Sequence, residues 1–146
     1  MKREQEKHKV VKLDKKEKYE HWLGIAQYDL DTAEVMFEAS RYLYVAFMCQ
    51  QAIEKLSKGL YVYNFDKEAK YTHNIIAVLD EIENIASLDE YEKHKLFFSE
   101  LTSYYVSGRY EIYKQEVSQS LNKNNTQVLF DKTKGAFSWL KSQVKL

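Results

Sequence analysis

The chain has 146 residues, with 22 basic and 22 acidic side chains, four glycines and no proline. The length fits one domain. Because the charges balance, the protein has no strong overall electrostatic potential that would attract it to nucleic acid or to a membrane surface. The lack of proline and the few glycines favour helices over a turn-rich β fold. One cysteine, no signal peptide and no apolar run of about 18 residues predict a cytoplasmic protein without disulfide bonds or a membrane span.

The N-terminal part divides into a charged extension and a predicted first helix. Residues 1–18 are dominated by charged side chains, so we expect an extension ahead of a single domain that spans residues 19–146. Residues 19–39 carry apolar side chains at helical spacing, and Asp29 lies close to that stripe. A carboxylate near an apolar face is either a partnered structural residue or part of a site, and the sequence leaves both interpretations open.

The central stretch, residues 42–63, predicts one long helix that is apolar on two sides. Such a helix belongs in the middle of a bundle. Ser40 and Arg41 predict a short turn before it, so the first two helices form an antiparallel hairpin. Cys49 lies on an apolar stripe and is expected in the core. The polar members of this helix share a face and need partners on neighbouring helices. They are Gln50, Gln51, Glu54, Lys55 and Lys58.

The C-terminal half predicts three further helices, with Thr72 as the N-cap of the first of them. Their predicted ranges are 73–86, 91–105 or slightly beyond, and 126–144. Between the last two, a charged, tyrosine-rich segment over 108–117 is followed by loop chemistry over 118–125. The residues expected to be buried in the second of these helices are Leu96 or Phe97, Leu101, and Tyr104 or Tyr105. The sequence therefore predicts an all-α fold, an antiparallel up-and-down bundle of four to five helices.

The histidine and glycine patterns argue against metal and cofactor chemistry. A di-iron site in a helical bundle needs Glu-x-x-His pairs, because residues three apart lie on one face of a helix. None of the four histidines follows a glutamate at that spacing, and they are too scattered for a zinc motif. The sequence also lacks a glycine-rich phosphate loop and a dinucleotide fingerprint. We therefore predict neither a metal nor a cofactor.

Several polar side chains remain as site candidates. They lie on predicted helices whose other residues are mostly apolar and expected to pack in the core. They are Asp29 on the first helix, Gln51, Glu54 and Lys55 on the second, His73 at the start of the third and Arg109 at the end of the fourth. These residues form either a buried polar network that fixes the register of the helices or a binding site.

Four blocks that contain these residues follow one another along the chain. They are A-x-x-D-L-x-x-A from Ala26 to Ala33, CQQAIEKLSKGL from Cys49 to Leu60, Thr72-His73, and YVSGRY from Tyr105 to Tyr110. In this order, over roughly residues 20–143, they resemble the HEPN domain family. The resemblance implies a helical bundle, commonly homodimeric, that is associated with nucleotides or RNA. Many HEPN domains are encoded beside a small nucleotidyltransferase, in pairs that behave as toxin and antitoxin, so the resemblance also implies such a partner.

The resemblance further implies how a ligand is held. Arg109 would bind a phosphate through a forked hydrogen bond, helped by Lys55 or Lys58. Tyrosines near the end of the fourth helix would stack on a base or donate a hydroxyl group. These tyrosines are Tyr105, Tyr110 and Tyr113. The complete set of implied ligand-binding residues is Arg109, Tyr110, Tyr105, Lys55, Lys58, Glu54, Asp29 and His73.

The sequence departs from the ribonuclease members of the family. Those members carry an arginine, four to six further residues and then a histidine, but no histidine follows Arg109 at that distance. Arg109 and Tyr110 resemble the Arg-Tyr branch, in which proline usually comes next, and here Glu111 replaces it. We therefore favour a non-catalytic or weakly catalytic protein that binds nucleotide or RNA phosphate and works with a nucleotidyltransferase partner.

Two alternatives stay open at the sequence level. The first is a metal-independent ribonuclease toxin with a rearranged acid–base pair, in which Arg109 acts with His73 or Tyr113. The second is a dimerising interaction module without catalysis, whose polar residues only set the register of the helices.

Overall fold

The computed structural model describes residues 12–109 and 111–145, apart from the side chains of residues 106–113. Within these residues every regular element is a helix. The helices are α1 (Lys15–Glu38), α2 (Tyr42–Phe65), α3 (Ile75–Leu79), α4 (Glu83–Ala86), α5 (Asp89–Arg109), α6 (Glu111–Ser120) and α7 (Lys123–Ser142). The predicted all-α bundle is thereby confirmed. The predicted extension lies outside the described residues as far as residue 11.

Helices α1 and α2 form the predicted hairpin. The first helix begins at Lys15 rather than at residue 19, because the Asp14 side chain caps it by accepting the Glu17 backbone N–H at 2.8 Å. At the other end Ser40 adopts a left-handed conformation with φ of 60° and turns the chain into α2. At the open end of the hairpin, the Lys18 Nζ and Asp66 Oδ1 atoms form an ion pair 3.0 Å long that links the first turns of α1 to the end of α2.

Helix α2 occupies the centre of the bundle, as predicted. It packs against α1, α5 and α7, and 13 of its 24 residues are buried. Cys49 lies in this core, where burial raises the pKa of the thiol to about 12 against the opposing effect of a hydrogen bond with Thr133. A protonated, buried thiol fits the predicted packing role. Among the described residues, no helix is both long and apolar enough to cross a membrane.

Gly59 sets the distance between α1 and α2. A Cβ atom at this position would lie 2.8 Å from the Trp22 Cβ and 3.3 Å from the Tyr19 Cδ2. Neither atom is the far end of a flexible side chain, so a larger residue here would push the two helices apart.

The predicted third helix is divided into α3 and α4. Its N-cap is Asn74 instead of Thr72, since the Asn74 side chain accepts the Ala77 backbone N–H at 3.2 Å. Between the two helices Ile82 is extended, with φ of −96° and ψ of 93°, and is almost completely buried. Asp80 accepts the hydroxyl of the buried Tyr91 at 2.7 Å. The break coincides with the hydrogen bond from Tyr91 to Asp80, a contact that local periodicity does not reveal.

The predicted loop over residues 118–125 is wrong except at residues 121 and 122, because helices cover the rest of it. Helix α5 continues through Gly108 to Arg109, and α6 covers residues 111–120. That second segment contains neither glycine nor proline and is rich in glutamate, lysine and glutamine, which favour helices. The connection to α7 is short, because Asn122 and Asn125 form a reciprocal capping box.

The buried face of α5 differs in one place from the prediction. Leu101 is fully buried as expected, but Leu96 is 84% exposed and Phe97 is only partly buried. Phe98 and Tyr91 fill the core in their place. Phe98 lies three positions before Leu101 and Tyr91 lies seven positions before Phe98, so both continue its stripe, whereas Leu96 falls on the outer side.

Candidate functional site

The buried carboxylate of Glu54 on α2 is the centre of the candidate site. Its Oε1 atom accepts the Gln50 Nε2–H at 3.1 Å and lies 2.8 Å from the His73 Nδ1. Its Oε2 atom lies 3.5 Å from the Nζ atoms of both Lys55 and Lys58. Glu54 is completely inaccessible to solvent. A charge removed from water in this way requires several polar partners, and this carboxylate has four.

Glu54 fixes the orientation of His73, which precedes α3 in the chain. A carboxylate only accepts hydrogen bonds, so the His73 Nδ1 atom carries the hydrogen. The other ring nitrogen, Nε2, is thereby left as the proton acceptor of the neutral imidazole. The His73 side chain is 28% exposed, and its backbone carbonyl accepts Gln50 Nε2–H at 3.4 Å. The histidine is therefore held at the protein surface in one tautomer.

Aromatic rings form the walls around His73. Its imidazole stacks on Tyr105 from α5, with ring centres 3.7 Å apart and an angle of 15° between the planes. Phe47 from α2 continues the stack 6.2 Å from the Tyr105 ring centre. Tyr71 meets His73 edge-on at 5.5 Å and is 91% exposed. One face of the Tyr105 ring is thus covered by His73, while Tyr71 is open to solvent.

The polar network extends from Glu54 to α1. Lys55 Nζ donates to Gln51 Oε1 at 3.3 Å, and Gln51 Nε2 donates to Gln50 Oε1 at 2.6 Å. Burial raises the pKa of Asp29 on α1, while Lys55 acts to lower it and Glu54 to raise it further. These electrostatic effects require Asp29 to lie near both charges. The network therefore joins α1, α2 and the segment ahead of α3.

The structure brings together most of the residues that the sequence singled out. The grouped residues are Asp29, Glu54, Lys55, Lys58, His73 and Tyr105. The backbone of Arg109 ends α5, four residues and therefore about one turn beyond Tyr105. The side chains of Arg109, Tyr110 and Tyr113 lie outside the described residues. A ligand-binding role for any of these residues stays a prediction.

Gln50 and Tyr71 contact the site but were not among the predicted site candidates. Gln50 was expected only as part of the polar group of α2, yet it is completely buried and bridges Glu54 and the His73 carbonyl. Its position one turn before Glu54 is the signal that could have identified it. Tyr71 lies in the segment between α2 and α3. Its position two residues before His73 indicates that it flanks the same site.

The site combines cationic groups with an oriented imidazole at a partly exposed surface. Each lysine ammonium has three N–H donors, and the contact with Glu54 uses only part of this capacity. The remaining donors can bind anionic oxygens next to His73. The arrangement is chemically suited to a phosphate group.

The comparison with known proteins identifies the family. Residues 19–143 match the family model described as HEPN domain. No curated protein and no solved structure matches the chain at the significance level applied. The family match spans most of the chain and includes every grouped residue of the site, so the chain belongs to the HEPN domain family.

Proposed function

We propose that this protein binds the phosphate of a nucleotide or of single-stranded RNA at the Glu54 site. The observation that carries the proposal is the pair of contacts on the two Glu54 oxygens. One oxygen orients His73, and the other holds Lys55 and Lys58 beside it. Two ammonium groups and an oriented imidazole are thus assembled within reach of one another, and a phosphate oxygen is the ligand that such donors favour.

In this proposal the base of the nucleotide stacks on Tyr71. Its ring is almost fully exposed and lies directly beside His73. Stacking on an exposed aromatic ring is the common way in which proteins bind unpaired bases without strict sequence preference. Tyr105 is less suited to this role than the sequence suggested, because His73 already covers one face of its ring. Arg109, one turn further along α5, supplies the forked phosphate contact in this proposal.

Family membership supports the wider setting. HEPN domains are associated with nucleotides or RNA and often form dimers. By this analogy the protein acts as a homodimer with a nucleotidyltransferase partner, in a toxin–antitoxin type of system. The exposed Tyr28 and Val35 support a dimer, because they are apolar residues seven positions apart and therefore lie on the same outer face of α1.

The binding proposal is tested by titrating a short fluorescein-labelled single-stranded RNA, and separately AMP, in EDTA. Arg109→Ala and Lys55→Gln should each weaken binding about tenfold, since each removes a charged phosphate contact. Lys141→Gln is the matched control, because it removes an exposed lysine on α7, away from the site. If Lys55→Gln lowers stability and leaves the affinities unchanged, the network only sets helix register, and binding at this site is refuted.

RNA cleavage is a second candidate function, and the Glu54–His73 pair is the observation that favours it. Nε2 of His73 would accept the proton of a ribose 2′-hydroxyl, whose oxygen attacks the adjacent phosphorus. The 5′-oxygen then leaves and takes a proton from a second group, for which Tyr113 is the candidate. Cleavage of RNA in EDTA that is lost in both His73→Gln and Arg109→Ala would support this function. Harmless overexpression together with intact RNA would exclude it.

A further inference from the structure

Four polar side chains between residues 50 and 55 of α2 form a closed ring. Lys55 Nζ donates to Gln51 Oε1 at 3.3 Å, and Gln51 Nε2 donates to Gln50 Oε1 at 2.6 Å. Gln50 Nε2 donates in turn to Glu54 Oε1 at 3.1 Å. The second carboxylate oxygen of Glu54 lies 3.5 Å from Lys55 Nζ, so an ion pair closes the ring at the lysine.

The hydrogen bonds of this ring have only one possible direction. The carboxylate of Glu54 only accepts hydrogen bonds, so Gln50 has to turn its N–H₂ group toward it. The ammonium of Lys55 only donates, so Gln51 has to turn its carbonyl oxygen toward it. The two amide groups then meet as acceptor and donor. An amide that flipped would set donor against donor on one side and acceptor against acceptor on the other.

The ring connects a buried end to a surface end. Gln50 and Glu54 are completely inaccessible to solvent, so water cannot replace a partner that either of them loses. The Lys55 side chain is 25% exposed, so its ammonium can reach a ligand. Gln51 is partly buried and joins Lys55 to the buried amide. The fixed orientation of the buried end is therefore passed to the lysine through Gln51.

The two contacts of the Lys55 ammonium restrain it in different ways. The ion pair with Glu54 depends mainly on distance, whereas the hydrogen bond to Gln51 also depends on angle and so restrains direction. A lysine side chain is a flexible stem with a point charge at its end, and a ligand that binds a free lysine has to order it at a cost in affinity. The ring orders Lys55 before a ligand arrives.

We propose that Gln51 is a positioning residue of the phosphate site, which orients the ammonium of Lys55 toward the ligand without touching the ligand itself. Gln50 holds Gln51 in the required orientation. This inference rests on the phosphate binding proposed above. Gln51 carries no charge, so electrostatic attraction alone predicts that its replacement by another uncharged residue leaves the affinity unchanged. Positioning predicts a loss of affinity that depends on the presence of Lys55.

The test is a double-mutant cycle of Gln51→Met and Lys55→Gln, titrated with the fluorescein-labelled single-stranded RNA in EDTA. Methionine is an unbranched residue with a similar helix propensity, but it lacks the amide group. Gln51→Met should weaken binding about fivefold, because the lysine has to be ordered when the ligand binds. In the Lys55→Gln background the same substitution should change the affinity by less than about twofold, since the lysine through which Gln51 acts is absent.

Gln127→Met is the matched control, because Gln127 on α7 also donates a hydrogen bond within its helix, to Asp131 at 3.0 Å. It should leave the affinity unchanged, and thermal unfolding should show that every variant is folded at the temperature of the titration. If the unmodified protein does not bind the RNA, or Lys55→Gln leaves binding unchanged, the phosphate proposal fails and the role of Gln51 fails with it. If Lys55→Gln weakens binding but Gln51→Met does not, or weakens it equally in both backgrounds, only the positioning role is overturned.

Discussion

Glu54 combines full burial with contacts to both the imidazole of His73 and the ammonium groups of Lys55 and Lys58. Replacement by glutamine keeps the shape but removes the charge and turns an amide N–H₂ toward these donors. We expect Glu54→Gln to lower the free energy of unfolding by about 3 kcal/mol, since the partners of a buried ion lose their counter-charge.

Urea denaturation followed by circular dichroism measures this difference. The control is Glu34→Gln, which changes an exposed glutamate on α1 and should alter the free energy of unfolding by less than about 0.5 kcal/mol. A change of similar size in both variants would contradict the central role of the Glu54 charge in the fold.

His94 makes the stability of the protein depend on pH. Burial lowers the pKa of its imidazole; Glu90 opposes this effect, and Lys93 adds to it. Because the folded-state pKa lies below the unfolded value, the unfolded chain binds more protons between the two values. The free energy of unfolding should therefore fall as the pH is lowered from the ordinary histidine pKa toward the folded-state pKa.

Replacement of His94 by glutamine isolates this contribution. At about pH 8 the variant should be less stable by roughly 1–2 kcal/mol, because the contacts with Phe98 and Trp139 are lost. At about pH 5.5 the difference in the free energy of unfolding between the two proteins should be smaller. Only the unmodified protein contains an imidazole whose protonation is less favourable in the folded than in the unfolded chain, so only this protein is destabilised by the lower pH. Equal differences at both pH values would mean that His94 titrates alike in the folded and unfolded chains.

At the scale of the helices, Gly59 controls the packing of α1 on α2. The added methyl group of Gly59→Ala would contact the Trp22 Cβ at 2.8 Å, which forces the helices to move. Overpacking should outweigh the gain in helix propensity, so we expect a net loss of about 1–2 kcal/mol in the free energy of unfolding. Gly24→Ala has open space and should stabilise by up to about 1 kcal/mol. Thermal unfolding of both variants checks whether their effects have opposite signs.

The division of α3 from α4 shows how tertiary contacts overrule local periodicity. Ile75, Leu79 and Ile82 are all buried, as an uninterrupted helix would also predict. The helix is interrupted at Ile82, which is extended, next to Asp80, which accepts the hydroxyl of Tyr91 from α5. The partner of Asp80 is eleven residues away and on another helix, so the apolar pattern of the segment contains no information about it.

At the scale of the whole molecule, the proposed homodimer uses the outer face of α1. Tyr28→Glu combined with Val35→Glu should convert the dimer to a monomer, because a charge inside an apolar interface is left without a partner. Sedimentation velocity should give twice the chain mass of 17.4 kDa for the unmodified protein and the chain mass for the variant.

Val128→Glu serves as the control for this prediction, since Val128 is a 53% exposed apolar residue on α7. It should leave the dimer intact. A monomeric unmodified protein would refute the dimer, and dissociation by both variants to the same extent would refute the assignment to α1.

The sequence by itself determined the all-α class, the α1–α2 hairpin and the buried centre of α2. These features depend on side chains three or four residues apart that share one face of a helix. The 3.6-residue period of the apolar residues in the sequence indicates such faces directly. The same local signals explain why Asp29, Glu54 and Lys55 were correctly identified as polar groups on packing helices. His73 was also a site candidate on its own, and the family blocks added the expectation of a phosphate site, which came from resemblance and not from spacing.

Only the tertiary structure decided what these polar groups contact. Glu54 and His73 are 19 residues apart, and His73 and Tyr105 are 32 apart, in segments whose local patterns are independent of one another. Whether Glu54, His73 and Tyr105 come into contact depends on how α5 and the segment ahead of α3 pack against α2. That packing is fixed by the sum of many weak contacts between distant segments, which no periodicity within a single helix encodes.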